Sequence, residues 1–182
     1  ANLTVALNRS YRVRLETIGT RLRLFVDNRL LAEASDRSHS HGQAGVMMFR
    51  TRADYDNVVV SSNPQTPLVF HDWNLDVEDT TENWQTLGTW LQNYQTTTFN
   101  QSDTTSGARA ITGLPINNQV VHARVQRTGA AGTNNWFGVA ARYRDANNYY
   151  YVTLRNDNTI ALRKLVNGVP QTWHSGASAS SC

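Results

Sequence analysis

The sequence predicts an all-β protein made of short antiparallel strands, and three observations lead to this prediction. Apolar and polar residues alternate with a period of two in several segments, which is typical of strands with one buried face. Turn-forming residues separate these segments at intervals of mostly about 8–12 residues, as in sandwiches and barrels. No segment of 12 or more residues shows the 3.6-residue stripe of an amphipathic helix.

The individual strands can be assigned in chain order from this alternation. The apolar residues that we expect to face inward are Tyr11, Val13 and Leu15, then Leu22, Leu24 and Val26, then Val121, Ala123 and Val125, and finally Tyr150, Val152 and Leu154. The turn signals between segments fall at Ile18-Gly19-Thr20, Asp27-Asn28-Arg29, Asp145-Ala146-Asn147-Asn148, Asn156-Asp157-Asn158 and Asn167-Gly168. Trp84 and Phe137 are expected in the core.

A length of 182 residues suits one domain. Residues 61–69 carry two prolines and no charge, which predicts an extended linker. The chain therefore divides into residues 1–62, a linker over 63–69 and residues 70–182. The first piece has too few strands for an independent sandwich, so we expect both pieces to share one core within a single domain, 1–182.

Charge and composition exclude some classes of protein. The net charge is +3, and Lys164 is the only lysine beside sixteen arginines. These arginines are spaced singly within strand-like segments, whereas nucleic-acid-binding proteins usually cluster basic residues. They are expected on solvated sheet faces, or in planar contacts to carboxylates, including those of acidic sugars. No apolar run approaches the ~20 residues needed to cross a bilayer, and Cys182 alone allows no internal disulfide.

Several motifs in the second half of the chain resemble the opening strands of a concanavalin A-like (laminin-G/glucanase-type) jelly roll. They are Phe70-His71-Asp72-Trp73, Trp84, Gly88-Thr89-Trp90, the segment Trp136 to Asp145, Asn148 to Tyr151, and Leu162 to Gly168. The resemblance implies an antiparallel β-sandwich with jelly-roll topology.

The first half resembles the closing strands of the same family. The motifs are Tyr11 to Glu16, Leu24 to Asn28, Asp36 with Gly42 to Val46, and a terminal Tyr55-Asp56-Asn57-Val58-Val59-Val60 strand. The closing half thus precedes the opening half. Either the domain is circularly permuted, or the chain is cut from a tandem array; we favour one complete permuted domain, since permutation is tolerated at surface loops.

Aromatic and polar side chains favour carbohydrate binding. Sugar rings stack their C–H faces on aromatic planes, and polar side chains bind their hydroxyl groups. Tyr149 and Tyr151 lie on the polar face of their strand, opposite the inward Tyr150. The candidate ligand-binding residues are Trp90, Trp136, Arg142, Tyr149, Tyr151, Arg155 and Trp173.

Catalysis is the main alternative. Glucanases of this fold use two glutamates on one strand, but Glu78 and Glu82 are expected in an acidic loop. The jelly-roll polysaccharide lyases place His, Tyr, Arg and Gln on one sheet. The matching residues here are His122, Arg124 and Gln126 on one strand, with Tyr149, Tyr151 and Arg155 on another.

A structural calcium ion is implied by the resemblance, since many members of that family hold one between their terminal strands. Asp56 ends one such strand, and Asp72 lies on the strand that the rotated order pairs with it. We expect Ca²⁺ to be bound by these two carboxylates.

The sequence thus predicts a non-catalytic, lectin-like domain that binds a polysaccharide and is extracellular or secreted. Neither a nucleic-acid partner nor membrane insertion is expected. A lyase or hydrolase of the same fold is one alternative. A structural or adhesive repeat, with tandem or polymeric self-association, is the other.

Overall fold

The computed structural model describes residues 3–63, 66–71, 84–93, 98–130 and 132–176. Within these ranges the chain forms fifteen β-strands and no helix, and hence no helix that could span a membrane. In chain order the strands are β1 (Ser10–Ile18), β2 (Arg21–Val26), β3 (Arg29–Ser35), β4 (Gly42–Phe49), β5 (Thr51–Asn63), β6 (Thr66–His71), β7 (Gln85–Leu87), β8 (Trp90–Asn93), β9 (Thr98–Gln101), β10 (Gly107–Ile116), β11 (Gln119–Ala130), β12 (Trp136–Asp145), β13 (Asn148–Arg155), β14 (Ile160–Val166) and β15 (Val169–Gly176).

These strands pair into two antiparallel sheets that pack face to face as a β-sandwich. Sheet I has the strand order β3-β2-β1-β11-β5-β9-β8, and β6 pairs with the C-terminal part of β5, beyond the residues that pair with β9. Sheet II has the order β15-β14-β13-β12-β4-β10-β7. The all-β prediction and the sandwich prediction are therefore confirmed.

The core lies between the sheets and follows the predicted alternation. Tyr11, Val13 and Leu15 of β1 are buried, while Arg12 between them is exposed. The inward residues predicted for β2, β11 and β13 are buried in the same way. Trp84 and Phe137, which the sequence analysis assigns to the core, are buried as well. Period-two alternation identifies these inward residues correctly because successive side chains of a strand point to opposite faces of its sheet.

The two halves of the chain are interleaved rather than separate. From the first half, β1 and β5 flank β11 of the second half in sheet I; in sheet II, β4 lies between β10 and β12. One buried cluster includes residues of both halves, such as Val13 and Val139. Neither half could bury its apolar residues without the other.

The junction of the halves is a β-hairpin. Asn63 pairs with Thr66, and Val58 pairs with His71. Residues 66–69, which the sequence analysis assigns to a linker, thus belong to β6. The pairing of β5 with β6 is the one expected from the rotated order of the two halves.

Candidate functional site

Four aromatic side chains lie next to one another on the solvent side of sheet II. We call this group the aromatic face: Trp136, Tyr143, Tyr149 and Tyr151. The ring centroids of Trp136 and Tyr151 are 5.7 Å apart, those of Tyr151 and Tyr149 are 5.3 Å apart, and those of Tyr149 and Tyr143 are 5.4 Å apart. Each ring thus contacts the next across β12 and β13.

Tyr149 and Tyr151 lie on the outer face of their strand, as predicted, but the Tyr151 side chain is not exposed to solvent. Both side chains point away from the core, opposite Tyr150, which is buried within it. Tyr151 is nevertheless only 6% exposed, because it packs in a small apolar cluster outside the main core. That cluster consists of Met47, Ala140 and Tyr151, with Trp136, Tyr149 and Leu165 packed against it.

Glycines bring the main chains close together beneath the aromatic face. A Cβ atom at Gly138 would lie 2.0 Å from the carbonyl oxygen of Val152, and a Cβ at Gly45 would lie 2.2 Å from that of Ala110. Neither position has room for a side chain. The strands under the aromatic face therefore require glycine at both places.

An open groove of about 620 Å³ borders the aromatic face. Its wall includes Trp136 and Tyr149, together with the polar side chains of Arg109, Asp103 and Ser106. Burial raises the pKa of Tyr149 to about 12, so its hydroxyl remains protonated at neutral pH. The groove thus combines aromatic surface with hydrogen-bond donors and acceptors.

Two charged residues of the groove, Asp103 and Arg109, differ in their partners. The Asp103 carboxylate accepts hydrogen bonds from Thr105 N and Thr105 Oγ1, both at 2.7 Å, and these contacts lower its pKa. The Arg109 guanidinium lies 5.8 Å from the ring centroid of Tyr143. Among the residues that the structure describes, no carboxylate pairs with it. Within the described ranges, the Arg109 guanidinium thus has no ion pair.

Arg155 lies at one end of the aromatic face, since its strand position pairs with Trp136. Its guanidinium donates a hydrogen bond to Asn134, and its Nε is 3.6 Å from an oxygen of Asp157. The structure thus brings together Trp136, Tyr149, Tyr151 and Arg155 of the predicted residues.

Trp90 and Trp173 lie elsewhere. Trp90 belongs to β8 of sheet I, where its ring stacks on Phe99 at 4.8 Å. The Trp173 ring lies 5.9 Å from that of Tyr150, and the Lys164 ammonium is 4.8 Å from its centroid. Both indole rings pack against the main core, so neither extends the aromatic face.

Arg142 is also apart from this face, because it is buried at 2% exposure. Its Nε donates to Asn117 O at 2.8 Å and its Nη1 to His39 O at 2.9 Å. Its Nη2 donates to Gly19 O at 2.7 Å and to Thr17 O at 3.1 Å. These main-chain acceptors occupy the guanidinium, and the site described here does not include it.

A β-bulge in β12 explains why the sequence pattern singled out Arg142 and missed Tyr143. Simple alternation from Trp136 directs residue 142 outward and residue 143 inward. The pairing of β12 with β4 shifts by one residue between Ala140 and Tyr143, and Arg142 has a left-handed φ of +49°. The bulge reverses the two side chains. No local signal in the sequence marks this bulge.

The two residue sets of the lyase alternative are not on one sheet. His122, Arg124 and Gln126 lie on β11 of sheet I, whereas Tyr149 and its neighbours lie on β13 of sheet II. The outward-facing side chains of the two sheets point away from each other. The predicted lyase constellation is therefore not assembled. Glu78 and Glu82 lie outside the described residues.

Among the described residues, hydrogen-bond donors surround the predicted calcium ligand Asp56. Its carboxylate accepts hydrogen bonds from Asn57 N at 2.7 Å and Asn57 Nδ2 at 2.8 Å, and the Arg124 Nη1 is 3.9 Å away. Amide donors and a guanidinium are partners for an anion, not for a cation. The described part of the chain also contains no cluster of three or more His, Cys, Asp or Glu side chains suited to a metal. Asp72 lies outside it, and calcium binding there stays a prediction.

No protein-family model matches the chain, and no curated protein matches it.

Proposed function

We propose that the protein is a non-catalytic carbohydrate-binding domain that binds a polysaccharide along the aromatic face. The observation that carries the proposal is the row of four contacting aromatic rings on the solvent side of sheet II, beside an open groove of about 620 Å³. A soluble sheet face normally presents polar residues to water. A cluster of aromatic rings on such a face is typical of a site that binds a ligand with apolar surface.

A sugar chain matches the chemistry of the groove. The half-exposed rings of Trp136 and Tyr149 offer flat surfaces for the C–H faces of pyranose units. Arg109, Ser106 and the Asp103 carboxylate offer donors and acceptors for hydroxyl groups. Since the groove is open rather than enclosed, it suits a segment of a polymer better than a small molecule.

Binding without catalysis is favoured by the titratable groups of the groove. A lyase needs a base that is unprotonated near neutral pH, but burial raises the pKa of Tyr149 to about 12. A glycosidase needs two carboxyl groups flanking the bond. Of the described residues that line the groove, Asp103 is the one with a carboxylate, and its pKa is lowered rather than raised.

We further propose that the sandwich is a circularly permuted relative of the concanavalin A-like jelly rolls. Two antiparallel sheets with a shared core support this, as does the β5–β6 hairpin at the junction of the halves. We also propose an extracellular or secreted location, since structural polysaccharides lie mainly outside cells.

The proposal can be tested in two steps. A glycan array identifies the bound polymer, and calorimetry then compares the wild type with the Trp136→Ala and Tyr149→Ala variants. Each variant should lose roughly 1–3 kcal/mol of binding free energy, about tenfold in affinity per 1.4 kcal/mol. The absence of binding to any glycan would overturn the proposal.

Phe25→Ala provides the matched control. Phe25 is a half-buried aromatic residue on the outer side of sheet I, where its ring centroid is 4.0 Å from the Arg14 guanidinium. It has no part in the groove, so its removal should leave the affinity unchanged. Equal losses for Phe25 and Tyr149 variants would mean that the aromatic face is not the site.

A further inference from the structure

We infer that the polysaccharide bound at the aromatic face is anionic, with its carboxylate or sulfate groups held by Arg109 and Arg163. The inference rests on the proposed function and specifies its ligand class. Its basis is the distribution of charge over the two outer faces of the sandwich.

The strands of sheet II have almost no acidic residues. No Asp or Glu occurs in β4, β7, β10, β13, β14 or β15, and β12 has one, Asp145, as its last residue. The same strands direct Arg109, Arg155 and Arg163 to the solvent side. The strands that carry the aromatic rings thus present arginines and almost no carboxylates, although Asp157 lies beside Arg155 and Asp103 lines the groove.

Sheet I provides an internal comparison, because several of its outward arginines have acidic partners. Arg14 and Arg23 lie 3.3 Å and 2.5 Å from the Glu16 carboxylate, and Arg21 lies 2.8 Å from that of Glu33. Ion pairs within and between strands thus neutralise these three arginines. Arg109 and Arg163 of sheet II have no such partner among the described residues.

Arg163 occupies the strand position next to Tyr151, since the two residues pair between β13 and β14. Its Nε is buried and has no hydrogen-bond partner among the described residues. A buried donor without an acceptor lowers the stability of a protein. A ligand that accepts a hydrogen bond would remove this cost.

Arg109 supplies the second cation, on the other side of the aromatic rings. It lines the groove with Trp136 and Tyr149, and no described carboxylate pairs with it. A guanidinium presents two parallel N–H donors, which match the two oxygens of a carboxylate or of a sulfate ester. Acidic sugars provide such an oxyanion next to a ring that can stack on Tyr149.

Single-stranded nucleic acid also combines rings with negative charge, but the groove favours a sugar polymer. Asp103 lies in the groove wall and keeps its negative charge, because hydrogen bonds lower its pKa. A phosphate and a uronate would both be repelled by this carboxylate, but a sugar polymer also has hydroxyl groups along its chain that donate to it. Binding of nucleic acid is therefore an outcome that the test must include.

The test compares polymers that share a backbone and differ in charge. The probes are polygalacturonate, alginate and hyaluronate, each beside its carboxyl-reduced neutral form, together with chondroitin and chondroitin sulfate, neutral xylan and glucan, and oligo-dT. We expect at least one charged polymer to bind ten or more times tighter than its neutral counterpart. A preference among the carboxylates or for the sulfated chain identifies which oxyanion is bound.

Two variants connect that preference to the structure. Arg109→Gln and Arg163→Gln should each weaken binding of the charged polymer about 5- to 20-fold and change binding of its neutral form less than twofold. Arg21→Gln, which removes an exposed arginine of sheet I, should change neither. Equal melting temperatures of the three variants exclude a folding effect.

The outcomes separate the inference from the proposed function. If neutral polymers bind as tightly as charged ones, the inference is overturned and carbohydrate binding stands. If no polysaccharide binds, both are overturned. Tighter binding of oligo-dT than of every polysaccharide also overturns both.

Discussion

The hydroxyl oxygen of Tyr55 in sheet I lies 3.0 Å from the carbonyl oxygen of Gly138 in sheet II. It is also 3.1 Å from the carbonyl oxygen of Met47, and it accepts a hydrogen bond from Gly138 N at 3.3 Å. Gly138 and Met47 pair between β12 and β4. One phenol thus links the two sheets directly beneath the aromatic face.

Tyr55→Phe should lower the free energy of unfolding by about 1–3 kcal/mol, because the buried main-chain groups lose a hydrogen-bond partner. Urea denaturation measures this. Tyr143→Phe is the control, since the Tyr143 hydroxyl has no hydrogen-bond partner among the described residues, and its removal should change stability by less than about 0.5 kcal/mol. Similar values for the two variants would contradict the structural role of the Tyr55 hydroxyl.

Arg142→Lys should lower the free energy of unfolding by about 2–4 kcal/mol. The lysine ammonium keeps the charge, but it cannot reach the carbonyl oxygens of Thr17, Gly19, His39 and Asn117 together as the planar guanidinium does. Denaturant unfolding is compared with that of Arg144→Lys, an exposed neighbour. A stability equal to that of the Arg144 variant would show that the carbonyl contacts contribute little.

Tyr150→Ala should cost roughly 3–5 kcal/mol of stability, since Tyr150 is completely buried in the main core. Tyr151→Ala should cost less, because Tyr151 packs only in the small cluster with Met47 and Ala140. Tyr151→Ala should also weaken polysaccharide binding, by about 1 kcal/mol, because its ring supports those of Trp136 and Tyr149. Calorimetric unfolding and ligand titration of both variants decide the point. Unchanged binding with a larger loss of stability for Tyr151 would reverse the assignment of the two faces.

Protonation of the Asp36 carboxylate at low pH should lower the stability of the protein. Burial by itself raises the pKa of Asp36, but hydrogen bonds from Lys164, Tyr150 and Ser38 outweigh burial and lower it from 3.8 to about 2. The Lys164 ammonium is 2.5 Å from its carboxylate. A carboxyl group whose pKa is lower in the folded state stabilises the fold above the unfolded value, and this stabilisation is lost as pH falls through the folded value.

The window for this effect is therefore about pH 4 to pH 2. Melting temperatures of the wild type and of Asp36→Asn are measured from pH 6 to pH 2. The wild type should be more stable at pH 6, and the difference should shrink as pH falls through the window. Parallel curves would mean that the Asp36 carboxylate titrates normally in the folded protein.

The sequence predicted the faces of individual strands well, because burial of one side imposes alternation on residues such as Val121, Ala123 and Val125. It also predicted the inward Tyr150 and the outward Tyr149. Strand pairing was accessible only through the family resemblance, and the linker assigned over residues 63–69 overlaps β6. Pro67 lies in β6, which pairs with β5 at the edge of the sheet, where a missing N–H donor is tolerated.

The candidate site was predicted only in part. Trp136 and Tyr149 were found, because aromatic residues at outward positions are unusual. Trp90 and Trp173 were included for their residue type. Contacts with residues that are not adjacent in the sequence place both rings against the core. Arg109 has no sequence feature that distinguishes it from the other arginines. Its proposed role in binding an oxyanion rests on the structure, in which no described carboxylate pairs with its guanidinium.

The choice of arginine over lysine has a further consequence for ligand binding. The single lysine, Lys164, is buried against Asp36, so Arg109, Arg155 and Arg163 supply the positive charge of the aromatic face. Guanidinium groups stay protonated throughout the pH range in which proteins are folded. Uptake and release of an acidic polymer would be governed by ionic strength and by the ionisation of the polymer itself.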